Sequence, residues 1–508
     1  MSHYNCENIS NVYWAASDGF KTGRDPMGIQ NSSIATYTIL LPGMTNLTGH
    51  IRYYSLYCWL LDEYAKLDQL EIEKIHQYNF IRRAELIMAF LMQDKSVNSV
   101  IGSDFVLRKK EAFFTEGIID IAQGADYQSS DRYWAYQSGA FGQYYLGSLI
   151  YYNLIAVINN AFYVTNNEGA SVCDAFRDSV TEDVRRLYLK RIIEGKLYID
   201  DINTLEAIGL TSIKINSSEW IALNNLLIKS DKHGSKISTF RSQSVYLMLK
   251  DLQKGVPFSE FIENRYKSFD IRIKDPNAEF GWFFYYLCEV FHYCIETIFC
   301  YLLTMIDNLK NPPIEILLDV STHETTALLE DHEAIKETVA DGDIHSSIIQ
   351  TFHILKTQIK NNQYNHALVS ALSLVDLIYI IYSDNRELFI KFEADNDLAR
   401  QRGILSTGLE DYVEKHKHQD VRERIETIFR QVLNEHYIVA LNRMGNSDYD
   451  LRKFLIEDGC TILVEIRYPN LTNPRINSLH NYLKDLYYIN DRDELTEIGQ
   501  NFINNYGK

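Results

Sequence analysis

The spacing of proline constrains the fold of this chain more than any other sequence feature. Only eight prolines occur in 508 residues, and none lies between Pro42 and Pro257. Because proline breaks helices and marks turns, a gap of this length is filled more naturally by long helices than by a many-stranded sheet. Segments such as EIEKIHQYNFIRRAELIMAFLMQ repeat apolar residues at intervals of three and four. The sequence therefore predicts a mainly α protein.

A chain of 508 residues exceeds what one hydrophobic core supports, so we expect two or three domains. The predicted divisions are an N-terminal helical domain over residues 1–180, a central helical region over 181–315 and a C-terminal helical domain over 316–508. The first and the last of these are predicted to end in small winged-helix-like units. The predicted fold class is thus mainly α, a multi-domain helical protein with small winged-helix-like β-hairpin elements.

Two stretches show the order of helix, hairpin and second helix that is typical of the end of a winged-helix module. Residues 144–176 contain a helix, two short extended segments around a turn, and a helix that starts near Gly169. Residues 476–503 repeat this order, with a hairpin around INDRDEL and Thr496 as the N-cap of the final helix. Because such wings contact DNA in some proteins and pack against protein in others, both roles stay open, and the protein role is favoured.

The charge balance limits contact with nucleic acid to local patches. With 50 basic and 68 acidic residues the net charge is −18, which repels bulk nucleic acid. The candidate phosphate contacts are Arg52, Arg185, Arg186, Lys190, Arg191, Arg475 and Lys484. Arg52 lies in the first turns of a helix predicted to begin at Asn46 or Thr48, where backbone N–H groups favour an anion. Solvated faces paired with nearby carboxylates are the alternative for the basic runs.

One predicted helix carries acidic and histidine side chains at a spacing that could suit a metal site. Glu289 and His292 form an E-x-x-H pair, and Glu296 follows one turn later. These three are weak metal candidates, because a di-metal site in a helix bundle needs a second such pair on facing helices, and the sequence offers none. The histidines of the acidic stretch 323–345 have the wrong spacing for zinc. We therefore predict no metal and no cofactor, and favour a buried, hydrogen-bonded polar seam.

Membrane and compartment signals point to the cytoplasm. Residues 280–306 are long enough to span a bilayer, but Glu289 and Glu296 would each cost ~2.5–3.5 kcal/mol there, so a buried helix is favoured. The seven cysteines are odd in number and contain no C-x-x-C pair, which predicts reduced thiols. The N-terminus lacks a basic region followed by an apolar one, so we expect no secretion. The expected protein is cytoplasmic and has no membrane partner.

Four segments carry a family resemblance. They are DPMGIQNSSIATYTILLPGMTNLTGHIRYYSLYCWLLDEYAK, SGAFGQYYLGSLIYYNLI, VLNEHYIVALNR and NPRINSLHNYLKDLYYINDRDELTEIG. Together they resemble an uncharacterised bacterial protein family encoded in anti-phage defence islands. The resemblance implies an accessory component of a multi-gene antiviral system, in which an ATPase of the structural-maintenance (SMC) or ABC type and a nuclease are common neighbours. It is one of pattern, so no active residue is carried over.

These observations lead to one expected function and two alternatives. We expect a non-catalytic sensor or scaffold subunit of a bacterial anti-phage complex, which works through protein–protein contacts and has DNA contacts as a further option. The first alternative is an enzyme, a metal-dependent nuclease-type effector of such a system, although neither EILLDV nor CTILVEIRY has the lysine that a PD-(D/E)xK nuclease requires. The second is a sequence-tolerant DNA-binding protein.

Overall fold

The computed structural model describes residues 25–68, 75–93, 98–228, 236–270, 276–339, 343–398, 403–444 and 450–506. The first α-helices of this part are α1 Asn31–Leu40, α2 Arg52–Ala65, α3 Gln77–Leu91, α4 Ser103–Glu116, α5 Ile121–Ala125, α6 Leu146–Tyr151, α7 Glu168–Ser179, α8 Glu182–Glu194, α9 Ile202–Leu205, α10 Ser218–Ile228 and α11 Lys236–Gln253. They are followed by α12 Phe261–Ser268, α13 Ala278–Asn308, α14 Ile314–Val339, α15 Ile344–Lys360, α16 Tyr364–Asp384, α17 Arg386–Asp395, α18 Leu405–Tyr412, α19 Val421–Met444, α20 Ile476–Asp485 and α21 Glu497–Asn505.

Short antiparallel pairs account for the strands of the described residues. These strands are β1 Ile118–Asp120, β2 Ile155–Ile158, β3 Ala161–Val164, β4 Lys196–Tyr198, β5 Phe454–Glu457 and β6 Cys460–Leu463. They form three two-stranded sheets, in which β1 pairs with β4, β2 with β3, and β5 with β6. The prediction of a mainly α protein with small β-hairpins is therefore confirmed.

The chain forms two compact units, each built from segments that are distant in sequence. One unit contains residues 1–39 and 260–472, and the other contains residues 40–259 and 473–508. The chain thus passes from one unit to the other at 39–40, 259–260 and 472–473. The predicted boundaries near 180 and 315 lie inside these units, because local composition does not show which distant segments pack together.

Helix α13 is the core of the unit that contains residues 260–472. The side chain of Asn277 caps it by accepting hydrogen bonds from the backbone N–H groups of Glu279 and Phe280. Almost every side chain from Ala278 to Ile306 is buried, against α12, α14, α16 and α19. Two described helices, α13 and α16, are apolar and long enough to cross a membrane, but 94% and 56% of their apolar windows are buried in the protein. Core helices of soluble proteins pass the same test, so this finding is compatible with a soluble protein.

Helix α2 is the core of the other unit, and its start differs from the prediction. Ile51, Tyr54, Cys58 and Leu61, which share one face at helical spacing, are all buried. The helix begins at Arg52, so the predicted N-cap at Asn46 or Thr48 is wrong. The Thr48 hydroxyl instead donates to the backbone oxygen of Thr45, in a turn that precedes the helix. The backbone N–H of Ile51 is satisfied by Asp485, which is too distant in sequence to be foreseen.

Both predicted winged-helix-like units contain the expected order of elements. In the first, α6 leads into the β2–β3 hairpin and then into α7, with Asn159 and Asn160 at the turn in left-handed conformation, as a two-residue hairpin turn requires. In the second, α20 leads to an isolated bridge between Ile489 and Leu495, followed by α21. The Thr496 hydroxyl caps α21 by accepting from the N–H of Gly499, as predicted.

Five of the seven cysteines follow the prediction, and Cys6 lies outside the described residues. Cys58, Cys173, Cys288, Cys294 and Cys300 are free and buried. Cys460 is disulfide-bonded, so the prediction that all seven thiols are reduced is wrong at this position. The absence of a C-x-x-C pair in the sequence does not by itself show which cysteines are bonded.

Candidate functional site

The basic residues of α8 are engaged by nearby acceptors. The four predicted phosphate contacts on this helix are Arg185, Arg186, Lys190 and Arg191. Arg185 donates to the backbone oxygen of Val180 at 3.0 Å, and Arg186 pairs with Glu182. Lys190 lies 3.8 Å from Glu194, while Arg191 binds both Glu194 and Asp201. The structure therefore places all four beside acceptors of their own unit, as in a solvated face with internal ion pairs.

The two predicted contacts near the C-terminus are also engaged. Arg475 donates to the backbone oxygen of Leu41 at 2.9 Å. The Lys484 ammonium lies 2.8 Å from the Asp493 carboxylate, which also accepts from His480. Arg475 and Lys484 are not brought together with the basic residues of α8 by any described hydrogen bond or ion pair.

Arg52 lies in the protein interior, where its guanidinium pairs with Glu219. Both side chains are only 1% exposed, and two hydrogen bonds of 3.0 Å join Nε and Nη2 of Arg52 to the two carboxylate oxygens. Nη1 of Arg52 donates to the backbone oxygen of Gly209, and the Ser55 hydroxyl donates to Glu219 at 2.7 Å. This arrangement ties α2 to α10 and leaves Arg52 shielded from solvent.

His50 and Asp485 form a second buried pair close to the start of α2. Nδ1 of His50 lies 3.1 Å from both carboxylate oxygens of Asp485, and Nε2 lies 2.7 Å from the backbone oxygen of Asn98. Burial lowers the pKa of His50, but the Asp485 carboxylate outweighs this, so the pKa is raised above its usual value. Both ring nitrogens face acceptors, an arrangement that favours the protonated ring, and the pair joins α20 to the N-terminal end of α2.

In the other unit, the three polar residues of α13 hold an extended segment of the chain. Glu289 accepts from the N–H and the hydroxyl of Thr472, at 2.9 and 2.6 Å. Glu296 accepts from the N–H of Asn470 at 2.9 Å, and Nε2 of His292 donates to the backbone oxygen of Asn470 at the same distance. The E-x-x-H face thus binds main-chain groups of residues 470–472, which is the arrangement of a buried polar seam.

Burial and the opposite charges of their neighbours shift the pKa values of His292 and Glu296 in this seam. Burial lowers the pKa of His292, but Glu289 and Glu296 outweigh it, so the net shift is upward. Burial raises the pKa of Glu296, although His292 and the bonds from Asn470 and Gln30 oppose this. Within the described ranges, no group of three or more His, Cys, Asp or Glu side chains is arranged to hold a metal ion. In the acidic stretch 323–345, His323 and Glu324 are exposed, and residues 340–342 lie outside the described part of the chain.

Glu393 is another buried carboxylate of the same unit, and it caps α18. One oxygen accepts from the N–H of Ser406 at 3.2 Å and from its hydroxyl at 2.8 Å. Burial raises the pKa of Glu393 to about 7, against the lowering effect of the two bonds from Ser406, and the nearby Glu410 carboxylate raises it further. The folded protein therefore holds a proton here that the unfolded chain, with a pKa of about 4.3, releases earlier.

We expect Glu393→Gln to stabilise the protein increasingly as pH rises above about 4.3, with the full effect reached near pH 7. Because the folded pKa is raised, the wild type loses unfolding free energy as pH rises from about 4.3 through about 7, and glutamine does not titrate. The variant should match the wild type at pH 4 and exceed it at pH 8 by about 3–4 kcal/mol in urea titrations. Replacement of the exposed Glu330 by glutamine is the control, with no such divergence. Parallel stability curves for Glu393→Gln and wild type across this range would show that Glu393 does not titrate there.

One stretch of the chain without charged residues exposes several large apolar side chains. Residues 133–167 contain no Asp, Glu, Lys, Arg or His, although 23% of the chain is charged. The large apolar side chains exposed within it are Tyr136, Ile150, Tyr151, Val157, Ile158 and Tyr163. We call these six residues the neutral surface. Exposed aromatic and aliphatic side chains with no charge among them are typical of the centre of a protein–protein interface.

Helix α3 fixes the backbone of this stretch in place. Arg82 donates to the backbone oxygens of Trp134 at 3.0 Å and Tyr136 at 2.6 Å. Glu85 accepts from the N–H of Phe141 at 2.7 Å and from the hydroxyl of Tyr133. These buried charged groups pin the loop that leads into α6. Part of the neutral surface therefore stands on a fixed backbone.

The β2–β3 hairpin presents one apolar face to the interior and another to the exterior. Ile155 and Phe162 point inward and are buried. Ile158 is 54% exposed and Tyr163 is 43% exposed, and both lie on the opposite face together with Ala156 and Ala161. An antiparallel sheet with one solvated face usually alternates apolar and polar residues, so an outer face whose four residues have no polar group besides the Tyr163 hydroxyl departs from the ordinary pattern.

The sequence indicates this surface by an absence of charged residues, which a comparison of motif spacings does not detect. The candidate sites of the sequence consist of charged and histidine residues, whereas the relevant feature of residues 133–167 is their lack of charge. Periodicity alone assigns apolar residues of a hairpin to the interior, and only the structure separates the exposed Ile158 from the buried Phe162. Comparison of the chain with protein-family models, with curated proteins and with solved structures gives no match.

Proposed function

We propose that this protein is a non-catalytic sensor or scaffold subunit of a multi-gene bacterial antiviral complex and that it works through protein–protein contacts. The observation that carries the proposal is the neutral surface, a set of exposed aromatic and aliphatic side chains on a protein of net charge −18. Interface centres are enriched in aromatic residues and depleted of charge, and tyrosine contributes large contact area at low entropic cost.

The chemistry of the same surface favours protein over DNA as its partner. Duplex binding depends on Lys and Arg side chains that neutralise phosphates and release counterions. The hairpin of the first winged-helix-like unit has no such residue, and the basic residues of α8 that follow it are beside acceptors of their own. A wing on which Ile158 and Tyr163 are exposed is suited to contact with an apolar surface of a partner protein.

The resemblance to a family of defence islands supplies the candidate partners. In such systems an ATPase of the SMC or ABC type and a nuclease are common neighbours, and an accessory subunit can join or regulate them. A neutral surface selects its partner by shape and apolar contact, and its affinity should therefore depend little on salt. Salt-resistant association distinguishes this role from that of a DNA-binding subunit, whose affinity falls steeply with salt.

Co-purification with the products of the neighbouring genes tests the proposal. The tagged protein is co-expressed with the ATPase and nuclease genes of its locus as wild type, as Ile158→Lys and as Leu107→Lys. Both substitutions add the same charge at an exposed aliphatic residue of one unit, since Leu107 on α4 is 74% exposed and lies outside the neutral surface. We expect wild type and Leu107→Lys to retain the partners at 0.15 and 0.5 M salt.

Ile158→Lys should reduce the recovered partner about tenfold or more, because a lysine at the interface centre loses its hydration without gaining a counter-charge. Equal recovery by Ile158→Lys and wild type would contradict a role for the neutral surface. A duplex DNA shift at low salt that is abolished by Arg186→Ala with Lys190→Ala would favour the DNA-binding alternative instead.

A further inference from the structure

The outer edge of strand β2 has backbone groups that point away from the hairpin. The register pairs Val157 with Phe162, and the N–H and C=O of Phe162 bind the side-chain amide of Gln77 at 3.0 and 2.9 Å. Phe162 therefore directs both groups away from β2. In an antiparallel pair the opposite residue does the same, so the N–H and C=O of Val157 point away from β3.

The two edges of the hairpin thus differ in whether their backbone groups are covered. Gln77 covers the β3 edge by taking the place of a neighbouring strand. Among the described residues, no strand pairs with the β2 edge, because its sheet contains β2 and β3 alone. Val157 is 48% exposed at this edge. The edge therefore has both a donor and an acceptor of the main chain available to a further strand.

This edge also lacks the features by which soluble proteins prevent strand pairing. Edge strands are commonly protected by lysine or another charge, by proline or by a bulge. Strand β2 has the sequence IAVI, the turn is Asn159–Asn160, and the register with β3 is continuous over four pairs. The outer face beside the edge carries Ile158. An unprotected apolar edge in a folded domain indicates a strand that joins a partner.

We propose that the partner of the β2 edge is a second copy of this chain. The inference rests on the proposed function, because it names one partner of the neutral surface. Two copies that each carry a net charge of −18 repel each other, and they approach at least cost along a strand that has no charged side chain. An antiparallel strand edge is also complementary to itself about a two-fold axis, the commonest symmetry of soluble dimers.

The pairing joins the two hairpins into one four-stranded antiparallel sheet with β2 strands at its centre. With the two-fold axis beside Val157, the N–H of Val157 in each copy donates to the C=O of Val157 in the other. Ile158 of each copy then lies across from Ala156 of the other, on the same face of the sheet. Strands of four residues bury less than the ~1,200 Å² of a stable interface, so the dimer should be weak and dependent on concentration.

Sedimentation velocity over a hundredfold range of concentration tests the inference with the full chain. The wild type should pass from the mass of one 59.1 kDa chain toward that of two as concentration rises. Val157→Pro removes the outward N–H and replaces one apolar side chain by another, but it breaks no bond within the hairpin, and proline is tolerated on edge strands. It should shift the dissociation constant at least tenfold, with an unchanged circular dichroism spectrum. Ile158→Lys should do the same, and Leu107→Lys should behave as the wild type.

The outcomes separate this inference from the proposed function. A wild type that stays monomeric over the whole range, or a Val157→Pro variant that dimerises as the wild type does, overturns the β2 pairing. If the wild type is monomeric and Ile158→Lys still loses the ATPase or nuclease in co-purification, the second copy is excluded while the neutral surface keeps its proposed role. If Val157→Pro and Ile158→Lys are monomeric but both retain those partners, the pairing stands and the proposed docking role of the surface fails.

Discussion

Replacement of Glu219 by methionine should lower the free energy of unfolding by about 3–5 kcal/mol, because it leaves the charge of Arg52 buried without its counter-ion. The two side chains are each 1% exposed and share two hydrogen bonds. Arg52→Met should be similarly damaging, since Glu219 would keep only the Ser55 hydroxyl among its described side-chain partners. Urea titrations followed by circular dichroism at 222 nm measure both changes.

The double variant Arg52→Met with Glu219→Met distinguishes a buried pair from two independent contributions. Removal of both charges leaves no buried ion without a partner, so we expect the double variant to be more stable than either single variant. It should remain about 1–3 kcal/mol less stable than the wild type, because the backbone oxygen of Gly209 loses the hydrogen bond from Arg52. The exposed pair of Arg186 and Glu182 is the matched control, for which each alanine variant should cost less than about 1 kcal/mol. Additive losses in the double variant would contradict the account of this pair.

Replacement of His292 by alanine should cost about 3 kcal/mol or more in the unit that contains α13. The backbone oxygen of Asn470 loses its donor, and the Glu289 and Glu296 carboxylates lose the group that neutralises them. The segment around residues 470–472 should consequently open more often, and hydrogen exchange of the Asn470 and Thr472 amides should accelerate. Urea titration and hydrogen exchange with mass spectrometry measure the two effects.

His353 supplies the control for this substitution. It also lies beside a glutamate, Glu263, at 2.7 Å, but its side chain is 53% exposed. His353→Ala should change the unfolding free energy by less than about 1 kcal/mol and leave the exchange of Asn470 and Thr472 unaltered. An equally small effect of His292→Ala would show that the seam does not hold this segment.

Local sequence signals predicted the local structure of this protein well. The hairpin β2–β3 follows from two apolar segments around Asn159 and Asn160, residues that tolerate the left-handed turn conformation. The last helix follows from Thr496, whose hydroxyl caps it as the sequence indicated. Both features depend on residues within a few positions of each other, which is the range over which capping and turn chemistry act.

Long-range partners could not be predicted in the same way. The start of α2 is determined by Asp485, which lies 434 positions from Ile51, and the state of Arg52 is determined by Glu219, 167 positions away. An arginine in the first turns of a helix is equally compatible with a bound anion and with a buried carboxylate until its neighbours are known. For this reason the sequence identified Arg52 as distinctive without identifying its partner.

The neutral surface was predictable from the sequence in one respect, its lack of charge, and not in another, its exposure. Its lack of charge is visible in residues 133–167 of the sequence, because a strongly acidic protein seldom omits charge over such a length. Its exposure is not visible, because Phe162 and Tyr163 are neighbours in one strand and only the side-chain direction separates interior from surface. The contacts of Arg82, Glu85 and Gln77 that hold the stretch in place come from a helix some fifty or more residues earlier.

Protection of bacteria against phage is the most direct test of the central claim that the protein acts through the neutral surface. Cells that carry the gene with its native neighbours are challenged with phage, with the wild type, Ile158→Lys and Leu107→Lys compared at equal expression. We predict that Ile158→Lys abolishes protection and that Leu107→Lys retains it. Full protection by Ile158→Lys would contradict the claim. Loss of protection by Glu289→Gln, with the fold and the complex intact, would also contradict it and would favour a chemical role for α13.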